Sequence, residues 1–296
     1  MPDGETGVDR VLAFTIPACD ARGRVVRLGP VLDTVLSAHD YPTAIRHLLA
    51  EALVLAALLG SLLKEDDSQM TMQIQSEDGI VDLLVCDYRK RELRGYVRHD
   101  AERLAALGTF PSVQALFGKG YFAITFDLAS TKERYQGIVP LEGDSLAHCC
   151  EAYFAQSEQI PTLIRTVVRW DGRNCTAGGF LVQHLPDGEE GGERLHVGSD
   201  HPHWDHVSAL AGTIRNDELA DSALSLEALV WRLFHEEEEV RVEPQGLLAR
   251  GCRCSADYYR SLLSRFDEEA RKDMRDDSGV IVIDCAFCSR EFRISA

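Results

Sequence analysis

Residues 251–259 read GCRCSADYY and residues 282–290 read VIDCAFCSR. Between them these stretches carry four of the chain's nine cysteines, as Cys252-Arg-Cys254 and Cys285-Ala-Phe-Cys288, with thirty residues separating the pairs. Two close-set pairs on either side of a single spacer form the signature of a four-thiolate Zn²⁺ site, in which each pair spans one edge of a tetrahedron. The C-terminal fifty residues are too few to bury a strong apolar core unaided. The spacing therefore predicts a small module, residues 246–296, whose folding depends on one Zn²⁺ per chain held by Cys252, Cys254, Cys285 and Cys288. In such modules metal binding contributes roughly 10–16 kcal/mol. The sulfurs are also neighbours within each pair once the metal leaves, so oxidation can join Cys252 to Cys254 and Cys285 to Cys288.

The spacer between the pairs suits such a switch. Residues 256–266 (ADYYRSLLSRF) form an amphipathic stretch with Tyr258, Tyr259, Leu262, Leu263 and Phe266. A charged helix is expected from Asp267 to about Asp277, and a strand over 279–283. Modest apolar content among so many charges predicts marginal stability without metal. The five named aromatic and aliphatic residues, with the helices of 205–235 and the apolar segment 52–63, are the candidate apolar contact surfaces.

Bulk properties bound the rest. The chain has 296 residues, 45% hydrophobic and 27% charged, as in ordinary globular proteins. A net charge of −17 argues against nucleic acid. Residues 251–296 hold eight Arg/Lys against nine Asp/Glu, so the cysteine segment has no basic footprint either. No secretory signal pattern opens the sequence. The most apolar segment, 52–63, falls short of the roughly 20 residues a membrane span needs. A cytoplasmic protein is expected, with thiols or metal ligands in place of a disulfide scaffold.

Along the chain, residues 11–36 predict two strands joined by a turn at 20–23. A helix follows from Thr43 to about Leu63, apolar nearly all round in its second half and so central to a core. Strands are expected through 70–126, then a helix from Ser145 capped by Asp144 and ending before Pro161. A hairpin over 167–185 turns at Asp171-Gly172. Residues 186–198 read as a loop, 205–235 as helices, and Pro244-Gln-Gly246 as a boundary. The fold class is α+β: a mixed core over 1–190, a helical linker over 199–245 and the cysteine module over 246–296.

Other clusters read as structure. His201-Pro-His203-Trp-Asp205-His206 has the H-x-H-x-D-H spacing of binuclear zinc hydrolases, but the chain offers only His235 downstream. A helix start with Asp205 as cap fits better. Cys19, Cys86, Cys149, Cys150 and Cys175 read as buried small side chains. A thiol–disulfide oxidoreductase using Cys285 and Cys288 is the alternative function, although C-A-F-C does not open a helix after a strand.

Further segments carry a resemblance over nearly the whole chain: Glu133-Arg-Tyr-Gln-Gly137, Leu141-Glu-Gly-Asp144, Tyr153-Phe154 with Ser157-Glu-Gln-Ile-Pro-Thr162, Ala177-Gly-Gly179, and Trp231-Arg-Leu-Phe-His-Glu-Glu-Glu238, closed by the C-x-C-S and C-x-x-C pairs. Together they resemble the 33 kDa chaperonin family of redox-regulated bacterial holdases. The resemblance implies a non-enzymatic chaperone that is inactive when reduced and zinc-bound. Oxidation by peroxide with heat, or by hypochlorous acid, then forms the disulfides Cys252–Cys254 and Cys285–Cys288, releases zinc and unfolds the module and linker. It further implies a homodimer on activation and ATP-independent capture of unfolding client proteins.

Overall fold

The computed structural model describes residues 7–108, 111–172, 174–185 and 201–295. The expected loop at 186–198 lies outside the described residues. The architecture is α+β, with two largely antiparallel sheets enclosing one apolar helix and a two-stranded sheet in the cysteine module.

The chain opens with β1 (Arg10–Ile16) and β2 (Ala21–Leu28). The turn between them is a 3-10 turn over Pro17–Cys19 closed by Asp20 in the left-handed region (φ 48°), three residues earlier than expected. Proline's fixed φ starts the turn, and Asp tolerates the left-handed position. Residues 30–36 are helical, not extended: α1 (Pro30–Leu36) begins on a proline, and the Asp9 carboxylate accepts from the Gly29 and Val31 N–H groups.

Helix α2 (Thr43–Gly60) is the centre of the molecule. Residues 52–59 are all fully buried, because one side meets the first sheet and the other side the second. That half of the helix has no polar face to give up, and the expectation of a core helix holds. At Gly179 the sheet backbone approaches so closely that a Cβ there would lie 2.3 Å from Val54 Cγ1. Among the described residues α2 is the one helix long and apolar enough to cross a membrane, but it is enclosed by protein.

One sheet contains β3 (Gln69–Ser76), β4 (Val81–Arg89), β5 (Glu92–His99), β6 (Gly120–Asp127) and β7 (Arg134–Pro140). Met70, Met72 and Ile74 of β3 point inward and are fully buried, while Gln69, Thr71, Gln73 and Gln75 face out. Two short helices interrupt the expected run of strands: α3 (Ala101–Ala105), capped by Asp100, and α4 (Val113–Phe117), capped by Ser112. Helix α5 (Leu146–Tyr153) is capped by the Ser145 hydroxyl, which accepts from the His148 N–H. Asp144 does not perform that role.

The other sheet adds β8 (Thr162–Asp171) and β9 (Asn174–His184), a hairpin that begins five residues before the expected start. On its outer side lie α6 (Pro202–Ala211), α7 (Asn216–Ala220) and α8 (Leu226–Phe234), packed through Phe14, Phe180 and Phe234 with ring centroids 5.5–5.7 Å apart. The His201 ring, not Asp205, accepts from the N–H in the first turn of α6; Asp205 lies within the helix.

Residues 241–247 form β10 (Arg241–Leu247), which pairs antiparallel with β1, and β11 (Ala249–Arg250) runs parallel to β5. Pro244-Gln-Gly246, read as a boundary, therefore lies inside a strand of the core sheet. Proline is tolerated because β10 is an edge strand. The full strand orders are β10-β1-β2-β9-β8 and β11-β5-β4-β3-β6-β7.

Candidate metal centre

After β11 the chain runs without regular secondary structure through Cys252 and Cys254 until Ser255 caps α9 (Ala256–Leu263). Aspartate 267 caps α10 (Glu268–Asp273), which is shorter than the helix expected to Asp277. A hairpin of β12 (Val280–Asp284) and β13 (Glu291–Ser295) closes the module. Cys285 follows β12, and the Cys288 and Ser289 N–H groups both donate to the Cys285 carbonyl, at 3.2 and 2.8 Å. This tight turn, completed by Ser289 in the left-handed region, folds Cys288 back beside Cys285.

The four sulfurs converge. Cys252 Sγ lies 3.3 Å from Cys254 Sγ and 3.6 Å from Cys285 Sγ, and Cys254 Sγ lies 3.5 Å from Cys288 Sγ. All four are within 4.8 Å of one another, the only such convergence of His, Cys, Asp or Glu ligand atoms among the described residues. A tetrahedron with Zn–S bonds of about 2.3 Å has edges of about 3.8 Å, so the sulfur cage fits a four-thiolate metal. The site can hold a metal ion, and its all-thiolate donor set suits Zn²⁺ among the common divalent cations.

The cage sits on little else. The module's own apolar cluster is Tyr259, Leu263, Ile281 and Ile294, with Phe292 and Ile283 half-buried beside them. Burial raises the Cys254 thiol above its ordinary range. Burial also acts upward on Cys285, but hydrogen bonds from the Tyr259 hydroxyl, the Phe287 N–H and neighbouring thiols outweigh it and bring Cys285 to about 7. Thiolates are the species that bind metal and react with oxidant.

The other five cysteines are all buried. Burial pushes Cys19 up to about 11, Cys149 and Cys175 to about 12, and Cys86 and Cys150 upward as well. They remain protonated and inert near neutral pH. In the histidine cluster, His206 bonds Glu237 at 2.7 Å while the His201 ring lies tilted against His184, with centroids 4.7 Å apart. No metal-ligand group forms there among the described residues.

The Hsp33 protein family profile matches residues 9–295. The chain belongs to the Hsp33 family. The 33 kDa chaperonin of Caulobacter vibrioides (strain NA1000 / CB15N) is 41% identical over 300 residues, covering 98% of this chain and 96% of the relative. The 33 kDa chaperonin of Yersinia pestis (strain Pestoides F) is 34% identical, covering 93% and 88%. The crystal structure of the Thermotoga maritima 33 kDa chaperonin superposes with a TM-score of 0.78 over 97% of this chain and 95% of that one, at 24% identity, and supports the Hsp33 fold. These relatives are chaperonins and not enzymes, which sets aside the thiol–disulfide oxidoreductase alternative.

The amphipathic residues singled out in the sequence divide by face. Tyr259 and Leu263 point into the module, while Tyr258 (56% exposed), Phe266 (43%) and Leu262 (37%) point to solvent. Sequence reasoning missed the second strand of the module hairpin, β13, and the contacts of Arg253 and Phe287 with the core sheet. An alternation of apolar and polar residues at 291–295 was the available signal for the strand. Nothing local announces the contacts.

Proposed function

We propose that this Hsp33-family chain is a redox-switched, ATP-independent holdase of the reducing cytoplasm. The proposed units are a core over 1–190, a linker over 199–245 and a switch module over 246–296, with β10 (Arg241–Leu247) crossing the last boundary where it pairs with β1. The observation that carries the reading is the pairing of a complete sulfur cage with an apolar core of only four buried residues. Zn²⁺, when bound by Cys252, Cys254, Cys285 and Cys288, holds the sulfurs as thiolates and supplies most of the module's folding free energy.

Peroxide removes two electrons from each sulfur pair. Cys252 bonds to Cys254 and Cys285 to Cys288, and each peroxide with two protons leaves as two waters. Sulfurs joined in this way would no longer serve as four thiolate ligands and could not hold a Zn²⁺. The residual core does not hold the module, which unfolds with the adjoining linker. The protein then dimerises and presents Tyr258, Tyr259, Leu262, Leu263 and Phe266 to unfolded client proteins.

Treatment of reduced protein with peroxide and mild heat is expected to release one zinc per chain and consume four thiols. The other five are expected to react only after denaturation. The same treatment is expected to suppress aggregation of a denatured client. Oxidised, zinc-free protein that leaves client light scattering unchanged would sink the proposal.

A further inference from the structure

Residues flanking the four cysteines reach out of the module and touch the core sheet. Arg253, between Cys252 and Cys254, donates to Asp87 Oδ2 at 3.1 Å and to Gln69 Oε1 at 2.7 Å. Phe287, between Cys285 and Cys288, lies 3.9 Å from the Arg94 guanidinium and edge-on to Tyr96, with centroids 4.9 Å apart. The Gly251 N–H donates to the Leu93 carbonyl at 3.0 Å. A Cβ at 251 would come within 2.4 Å of the Glu92 carboxylate, so the chain enters the cage pressed against β5.

Asp87 is only 3% exposed. Its carboxylate also accepts from Arg94 Nε and the Thr71 hydroxyl, both at 2.7 Å. We propose that Arg253 and Phe287 form a two-pronged latch closing on Asp87, Arg94 and Tyr96, and that docking of the module and metal binding are thermodynamically coupled through it. The proposal rests on the module being the part that detaches, and it names the contact that regulates detachment.

The chemistry suits a contact made to open. Without the module Asp87 keeps Arg94 and Thr71, so the core half of the latch stays satisfied. Arg253 regains its hydration on leaving, which limits the net strength of the ion pair. Phe287 gains from the guanidinium only while seated on it. Because both prongs lie one or two residues from a ligand sulfur, the cage geometry that a metal imposes also places the prongs. By reciprocity, docking must then strengthen metal binding by the factor by which metal strengthens docking.

The test uses full-length, reduced, zinc-loaded protein with Asp87→Asn or Phe287→Ala, and Arg98→Gln as control, a β5 residue paired with Asp82. Hydrogen exchange at residues 249–251 reads docking, and competition with a chelator of known affinity reads zinc binding. Both latch variants are expected to lose protection and to bind zinc roughly 5- to 150-fold more weakly, while the control changes neither. Wild-type protection and affinity in both variants would overturn the latch. Weaker zinc binding with unchanged protection would overturn it too, since the effect would then lie in the cage alone. Should Asp87→Asn unfold the core, as judged by circular dichroism, Phe287→Ala on the module side decides. Wild-type protein that keeps zinc under peroxide defeats the switch reading but leaves the latch result standing, because the latch is measured in reduced protein.

Discussion

Helix α2 and the cysteine module are opposite solutions to the same problem. The helix buries eight consecutive residues, 52–59, completely between two sheets, and that burial is its main source of stability. The module's own apolar cluster is Tyr259, Leu263, Ile281 and Ile294, while Tyr258, Leu262, Phe266, Met274 and Val282 stay exposed. Hydrophobic burial cannot be switched off by an oxidant, whereas four thiolates around a metal can. Apolar burial is thus concentrated around α2, and the four-cysteine cluster lies where apolar burial is sparse, as the proposed switch requires.

The comparison breaks most sharply on metal removal. Cys285→Ser, or chelation of the wild type, is expected to remove about 10–16 kcal/mol from the module. Hydrogen exchange over 252–295 should then approach that of unfolded chain while the core strands keep their protection. Simultaneous loss of protection in both regions would show that they do not fold independently. The mirror experiment is Leu53→Ala, a cavity at the fully buried centre of α2. It is expected to cost about 2–5 kcal/mol of core stability in a denaturant titration and to leave zinc stoichiometry unchanged.

The helices on the outer sheet lie between these extremes. Arg27 is fully buried and donates to the carbonyls of Leu219 (2.9 Å), Leu224 (2.6 Å) and Glu218 (3.1 Å), pinning the segment from α7 to α8 onto β2. Arg27→Met leaves those acceptors unpaired, at about 1–3 kcal/mol. Faster exchange confined to residues 216–226 is the expected signature.

The smallest effect concerns Glu51 on α2, whose carboxyl is pushed up by burial despite accepting from Thr166 (3.0 Å) and the Ala147 N–H. A raised folded pKa means that the native state holds the proton more tightly. Its stabilising effect is complete below the unfolded value and is lost as pH rises through the folded one. Glu51→Gln is therefore expected to gain stability relative to wild type as pH rises from 4.5 toward 8, in urea titrations. A gain that grows toward acid would reverse the assignment.

Much of this was legible in the residues. Cys252, Cys254, Cys285 and Cys288 converge as their spacing required, since ligands two and three positions apart need only a local turn to meet. The second half of α2 is apolar on every side and is buried on every side. Where the reading failed, a neighbour in space had won. Pro244-Gln-Gly246 resembles a break, yet the edge of β1 accepts it as a strand. Asp205 resembles a cap, but Pro202 starts the helix three residues earlier, leaving His201 in the capping position.

By itself the sequence determined the four-cysteine cluster, the core helix and the membership of the Hsp33 family, because each is written in short spacings or in continuous composition. Only the tertiary structure decided that β10 returns to the first sheet, that Arg27 pins the helical segment, and that the cage is fastened to β4 and β5. Asp87 and Arg253 stand 166 positions apart, and Arg27 and Leu219 stand 192 apart. Contacts of that range leave no local pattern; they exist because packing brings buried charge to partners that only the folded chain can supply.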